Sequence, residues 1–355
     1  MVKGTHTMKV LVTGSQGYIG AVLGPLLRNA GHDVRGIDTD LYRRCTYGGA
    51  MPDVPWVRKD IRDVVPLDLQ GFDAVVHLAA LSNDPLGDLN PELTMEINHR
   101  ASVRLANLAK QAGVKRFLFS SSCSTYGAAG EDMLTEAAEF NPVTAYAESK
   151  VLVERDVSEL ADREFSPTYL RNATAYGVSA RIRFDLVLNN LVAWAHTTGR
   201  IFVKSDGTPW RPIIHIEDIA RAFLAVLQAP REKIHNEAFN VGRNEENYRV
   251  RQLAEFVGET VPGCHIEYAS DAGPDKRSYR VDFGKFAAAF PNAGLRWTAR
   301  AGVAELYESY RKANFTREEF EGPRFKRIDH IKSLIASGDL GADLRWTKAD
   351  VEPRT

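Results

Sequence analysis

At 355 residues the chain can bury a large core, as one large domain or two closely joined ones. Its 44% hydrophobic and 26% charged composition is that of ordinary globular proteins, and a formal net charge of -1 gives no reason to expect nucleic acid or an anionic membrane as main partner. Three cysteines (Cys45, Cys123 and Cys264) without C-x-x-C or zinc-like spacing point to a reducing, cytoplasmic compartment and to no metal.

Met1–Thr7 is polar and lacks the apolar core of a signal peptide, and no apolar run is long enough to span a bilayer. From Met8 onward, strand and helix patterns alternate. Lys9–Thr13 (KVLVT) reads as a strand buried on both faces, followed by a glycine-rich turn and a helix ending near Ala30. Asp33–Ile37 is a second strand, Pro55–Val57 a weaker third, and Ala74–Leu78 (AVVHL) a fourth. Glu92–Ala112 reads as one long amphipathic helix stopped by Gly113. Arg116–Ser121 (RFLFSS) is a fifth strand, and Tyr146–Leu160 another helix.

Repeated β-α-β units at this spacing predict an α/β fold with a doubly wound parallel sheet, because parallel strands need crossover helices. Beyond Leu170 the order is less regular. Ile213–Ile216 and Ala238–Val241 read as strands that return to the sheet, extending a nucleotide-binding domain of residues 8–178 with returns at 213–242. Residues 179–212 and 243–346 then form a smaller, discontinuous C-terminal lobe over the substrate, with 347–355 as a tail.

Gly14-Ser15-Gln16-Gly17-Tyr18-Ile19-Gly20 places G-x-x-G-x-x-G between the first strand and its helix. Gly14 permits the tight turn, Gly17 lets backbone approach a pyrophosphate, and Gly20 allows the helix to pack on the sheet. Gln16, Tyr18 and Ile19 complete this Rossmann-type cradle. Asp38 ends the second strand, where a carboxylate accepts hydrogen bonds from an adenosine ribose and repels a 2′-phosphate, favouring NAD over NADP. Arg43 and Arg44 are the nearby cations that could hold that phosphate instead. Asp60 and Ile61 follow the third strand, where an Asp can meet the adenine amino group or simply start a loop.

Tyr146-Ala147-Glu148-Ser149-Lys150 is Y-x-x-x-K at a helix start, and i, i+4 spacing stacks both side chains on one face. A lysine ammonium beside a phenol favours the phenolate. Twelve tyrosines are enough for one such spacing to arise by accident, so context has to decide. Ser120-Ser121-Ser122-Cys123-Ser124-Thr125-Tyr126-Gly127 sits at the carboxyl end of the fifth strand, where ligands of open parallel sheets bind.

Gly14–Gly20, His77-Leu78-Ala79-Ala80, Ser120–Gly127 and Tyr146–Lys150, in this order, resemble the extended short-chain dehydrogenase/reductases. Within them the chain is similar to the nucleotide-sugar branch, the relatives of UDP-galactose 4-epimerase, from Met8 to about Arg311. The resemblance implies Ser122 as catalytic hydroxyl, Tyr146 as acid/base and Lys150 as holder of the nicotinamide ribose. Leu78, Ala79 and Ala80 would line the cofactor, and Asn98 would orient hydrogen bonds near it. It further implies substrate contacts from Ser82, Ser124, Thr174, Asn190, Arg211 and Arg277, with Arg211 and Arg277 gripping phosphate, and a homodimer.

Departures from the family pattern narrow the chemistry. Sugar 4,6-dehydratases of this family carry Asp-Glu directly after the catalytic hydroxyl, whereas this chain has Cys123-Ser124, so water elimination is disfavoured. The cysteine of 3,5-epimerising relatives would fall at Ser124, and Cys123, one place away, points to the opposite face. The expected reaction is NAD-dependent oxidation of the C4 hydroxyl of a nucleotide-diphosphate sugar. It gives a 4-epimerase if the keto sugar turns over in place, and a 4-dehydrogenase or 4-ketoreductase if it leaves. A non-enzymatic Rossmann sensor or RNA-binding protein is the alternative from another class, and the intact Tyr/Lys pair argues against it. Phe315–Trp346 reads as helix plus loop packing on the substrate lobe or on a partner subunit.

Overall fold

The computed structural model describes residues 7–82, 90–127, 132–269 and 278–347. Seven parallel strands form the central sheet: β1 (Lys9–Thr13), β2 (Asp33–Asp38), β3 (Trp56–Arg58), β4 (Ala74–His77), β5 (Arg116–Ser122), β6 (Ser166–Asn172) and, after strands that lie outside this sheet, β9 (Glu237–Val241). Their spatial order is β9-β6-β5-β4-β1-β2-β3. Successive residues point to opposite faces, and both faces are covered at the centre of the sheet, which is why β1, β4 and most of β5 are buried without alternation, whereas β2, next to the β3 edge, alternates between exposed and buried residues. Val10, Val12, Val76 and Leu118 pack against α1 (Gly20–Asn29) and against α5 (Ile216–Gln228). Leu11, Val75, Phe117 and Phe119 face α2 (Ala101–Gln111) and α3 (Ala145–Ser158).

Only one of the two expected returns joins this sheet. Glu237–Val241 pairs with β6, but Ile213–His215 does not reach the main sheet. The chain leaves β6 at Asn172, and β7 (Thr174–Tyr176) captures Ile213–His215 of β8 (Trp210–His215) in parallel register. Pro212 removes one backbone donor from β8, and β10 (Asn247–Arg249) closes its other side, giving a separate three-stranded sheet. Ile216 already belongs to α5.

The predicted helix over 92–112 is also interrupted. Pro91–Met95 and α2 are joined by a π-helical turn, Glu96–Arg100, of the kind that inserts one residue and redirects a side chain. The C-terminal lobe is built from α4 (Val187–Thr198), α6 (Val250–Thr260) and α7 (Ala299–Lys312) around Leu188, Val192, Leu253, Val257, Val303 and Leu306. Two further helices, α8 (Arg317–Glu321) and α9 (Arg327–Ala336), follow. Among the described residues no helix is long and apolar enough to cross a membrane.

Candidate active site

Strand order reverses at β1, whose neighbours are β2 and β4, so the connections from their carboxyl ends diverge and leave a crevice. Gly14, Asp38, Leu78 and Ser122 all lie at this edge. They line one cleft of about 890 Å³, at the large end of the roughly 300–1,000 Å³ usual for ligand cavities.

The glycine-rich turn forms one wall. Gly14 has φ +74°, and a β-carbon there would meet the Ala79 backbone at 2.7 Å, so only glycine lets the β1 and β4 ends close up. Asp38 accepts hydrogen bonds from the Gln16 N–H (2.9 Å) and the Asp40 N–H (2.6 Å), and burial pushes its carboxyl up to about 6. Gln16, Gly17, Tyr18, Ile19 and Gly20 line the cleft, with the Tyr18 hydroxyl anchored on the Gly177 carbonyl at 2.7 Å. Asp60 and Ile61 line the same end, and Asp60 is held by the Arg62 backbone and guanidinium. Arg43 and Arg44 do not line the cleft: Arg43 stacks over Trp346 at 4.4 Å and Arg44 pairs with Asp339 at 3.2 Å. A carboxylate facing the cleft beside backbone that only glycine can supply fits the adenosine and diphosphate of a dinucleotide.

The opposite wall carries Ser122, Tyr146 and Lys150. Thr144 caps α3 by accepting from the Ala147 N–H at 3.2 Å, which sets Tyr146 in the first turn with its ring lining the cleft. Lys150, one turn on, is buried, donates to the Ser120 carbonyl at 2.8 Å and lies 5.5 Å from the Tyr146 ring centre. Burial lowers the Lys150 pKa to about 7, against the Glu154 carboxylate, which raises it. Ser122 ends β5 and accepts from the Ser124 N–H at 3.1 Å, which fixes its hydroxyl on the cleft wall. Leu78, Ala79 and Ala80 line the space between the walls. His77 sets their position: its ring bridges Thr13 (2.6 Å) and Ser102 (2.7 Å), and burial lowers its pKa to about 3.

Ser82, Ser124, Thr174, Asn190 and Arg211 also line the cleft. The Ser124 hydroxyl and the Asn172 side-chain oxygen are buried there without a hydrogen-bond partner among the described residues, as groups awaiting a ligand would be. Asn98 is placed differently. It projects from the π-helical turn, and its amide is spent on the Leu81 backbone at 2.7 and 3.0 Å, so it braces the Leu78–Ser82 loop from behind. Arg277 lies outside the described residues. Cys123 is fully buried, its thiol donates to the Arg171 carbonyl at 3.1 Å, and burial raises its pKa, so it offers no acid/base group.

Sequence reasoning missed Arg183, Tyr42, Arg327 and Leu344, all of which line the cleft. Arg183 donates to the Ser82 hydroxyl and carbonyl, both at 3.0 Å, and pairs with Asp185 at 2.7 Å. No motif marks these positions, because each reaches the cleft only through tertiary packing.

Comparison with known proteins agrees with this geometry. The model of the NAD dependent epimerase/dehydratase family matches residues 10–242. UDP-glucose 4-epimerase of Corynebacterium glutamicum is 30% identical over 267 residues, covering 71% of this chain and 80% of that one. The solved structure of MoeE5 in complex with UDP-glucuronic acid and NAD superposes with a TM-score of 0.74 at 28% identity, covering 86% of this chain and 99% of MoeE5. MoeE5 is also solved with UDP-glucose and NAD, with the same scores.

Proposed function

Because the chain belongs to the NAD-dependent epimerase/dehydratase family, we propose that it acts as a nucleotide-sugar 4-epimerase, with NAD as its cofactor. The observation that carries this reading is the continuity of one cleft, from Asp38 through Tyr146 and Lys150 to Arg211. A dinucleotide and a diphosphate sugar can therefore meet end to end at the Tyr/Lys pair.

Held along the cleft by Gly14–Gly20 and Asp38, NAD would supply the hydride acceptor and donor for the sugar C4. Tyr146 takes the C4 hydroxyl proton as that carbon is oxidised and gives it back when the keto group is reduced. Lys150 brings positive charge to the phenol and hydrogen-bonding capacity to the nicotinamide ribose. Ser122 holds the reacting oxygen, and Arg211 presents a planar guanidinium suited to the diphosphate. A keto sugar free to turn about its diphosphate link would be reduced on its other face, which would invert C4 with no net change in the cofactor. The lack of an acid/base pair at Cys123-Ser124 supports epimerisation over water elimination.

Incubating the protein with a panel of nucleotide sugars and NAD, then separating products by anion exchange, tests the proposal. The expected product is a C4-inverted isomer of equal mass, with no net reduced cofactor. Stoichiometric NADH with a product two hydrogens lighter would replace the epimerase reading with a dehydrogenase. Unchanged sugars throughout would overturn it.

A further inference from the structure

The C-terminal segment beyond α7 does more than cover the lobe. It is anchored there by aromatic packing: Phe315 stacks on Phe184 at 4.6 Å, and Phe320 meets Trp194 edge-on at 5.3 Å. It then crosses to the other side of the cleft, onto the loop that follows Asp38. His330 contacts the Leu41 carbonyl at 3.0 Å. Arg324 donates to the Arg44 and Thr46 carbonyls at 3.2 and 2.6 Å, and the Trp346 indole N–H donates to the Thr39 carbonyl at 2.7 Å.

Apolar contacts run alongside these bonds. Ile331, Leu334, Leu340 and Leu344 form one cluster with Leu41, Leu81 and Leu93. The second adenosine-side loop is tied as well, since Arg62 donates to the Asp343 carbonyl at 2.9 Å and Arg345 pairs with Asp63. Thr39, Asp40, Leu41 and Tyr42 line the cleft, and so do Arg327 and Leu344 from the segment itself. Arg327 lies with its guanidinium 4.2 Å from the Tyr42 ring centre and donates to the Arg181 carbonyl at 3.2 Å, while Arg181 in turn donates to the Gln16 carbonyl of the glycine-rich turn at 3.1 Å.

We propose that residues 315–346 are a cofactor strap: Arg327 and Leu344 form the outer wall of the dinucleotide cleft, and Trp346 and His330 fasten the loop over the adenosine end so that NAD leaves slowly. Arg327 gives the strap a cation on the cleft wall, where an anionic dinucleotide would lie. Release of the adenosine half requires this loop to open, and the loop cannot open without breaking its bonds to the strap. A resident cofactor returns its hydride to the sugar that supplied it, so the strap deepens the epimerase reading. It rests on that reading only for the identity of the cofactor, not for the sugar or the reaction.

The test needs no sugar. The full-length protein is loaded with radiolabelled NAD, chased with excess unlabelled NAD, and the retained label is followed by rapid desalting. Arg327→Ala and Trp346→Ala should each release NAD at least tenfold faster than the parent. Arg317→Ala, whose partner is the neighbouring Glu321 on the solvent side, should release it at the parental rate. Circular dichroism and melting without NAD establish that each variant is folded, and if either alanine variant is not, Arg327→Gln decides, since it keeps the length and removes the charge. Parental release rates in folded Arg327 and Trp346 variants would overturn the strap, as would a parent protein that loses NAD as fast as they do. Either result would leave the sugar-panel outcome untouched.

Discussion

Replacing Gly17 by alanine should separate the cofactor cradle from the fold. A β-carbon at position 17 meets only the Gly14 carbonyl oxygen, at 3.1 Å, and otherwise faces the open cleft. A shift of a few tenths of an ångström accommodates it, so the folded protein loses little. The methyl group does stand where a diphosphate must approach the backbone. Losing one charge-assisted hydrogen bond costs about 1.5–3 kcal/mol, which weakens NAD binding roughly 10- to 150-fold. Gly20→Ala provides the contrast. Its β-carbon would lie 2.3 Å from the Gly14 oxygen and 2.6 Å from the Ser15 oxygen, both backbone atoms that cannot swing aside, so stability should fall instead. Calorimetric titration with NAD, together with thermal melting in its absence, reads both effects. The reasoning is refuted if Gly17→Ala binds NAD like the parent, or if its melting temperature falls as far as that of Gly20→Ala.

Tyr146→Phe should keep NAD affinity while turnover drops by about 10²-fold or more, the usual cost of removing an acid/base group; near-parental turnover on the true substrate would contradict the assignment. Arg211→Ala should raise the Michaelis constant by roughly 10- to 100-fold with little change in maximal rate, as expected for a contact made throughout the reaction. A normal Michaelis constant would place that guanidinium away from the substrate. Ribose hydroxyls donate best to an ionised Asp38, whose pKa stands at about 6, so NAD affinity should be constant above pH 7 and fall as pH drops through 6. Equal affinities at pH 5 and pH 7.5 would remove Asp38 from the ribose contact. Glu154 holds the buried Arg171 at 2.7 and 3.1 Å, and Glu154→Ala, which leaves that cation unpaired, should cost roughly 3–5 kcal/mol in urea unfolding. A loss under 1 kcal/mol would show that water reaches the pair.

Much of the cleft lining around Gly14 and Asp38 was legible because these residues are placed by local structure. Gly14, Gly17 and Gly20 lie within one strand-turn-helix, Asp38 at the end of the next strand, and Tyr146 and Lys150 one helical turn apart, so spacing alone conveys their geometry. The five strands read before Leu170 are all present, within one or two residues at their ends, since apolar β-branched runs buried on both faces are a strong local signal. Where the reading failed, the deciding contact was remote. Ile213–His215 has the composition of a sheet strand, but Thr174–Tyr176 reaches it before the main sheet does. Which group Asn98 orients was likewise settled by tertiary contact, since the π-helical turn aims its amide at the Leu81 backbone of the cleft-lining loop.

The sequence by itself therefore determined the first five strands, the glycine-rich turn after the first of them and the Tyr146/Lys150 spacing, because each follows from periodicity or from motifs a few residues long. Only the tertiary structure decided which side chains complete the cleft. Arg183 reaches Ser82 across about a hundred residues of chain, and Trp346 reaches Thr39 across about three hundred. No local pattern encodes such pairs, because their partners meet only after the sheet and the lobe have packed.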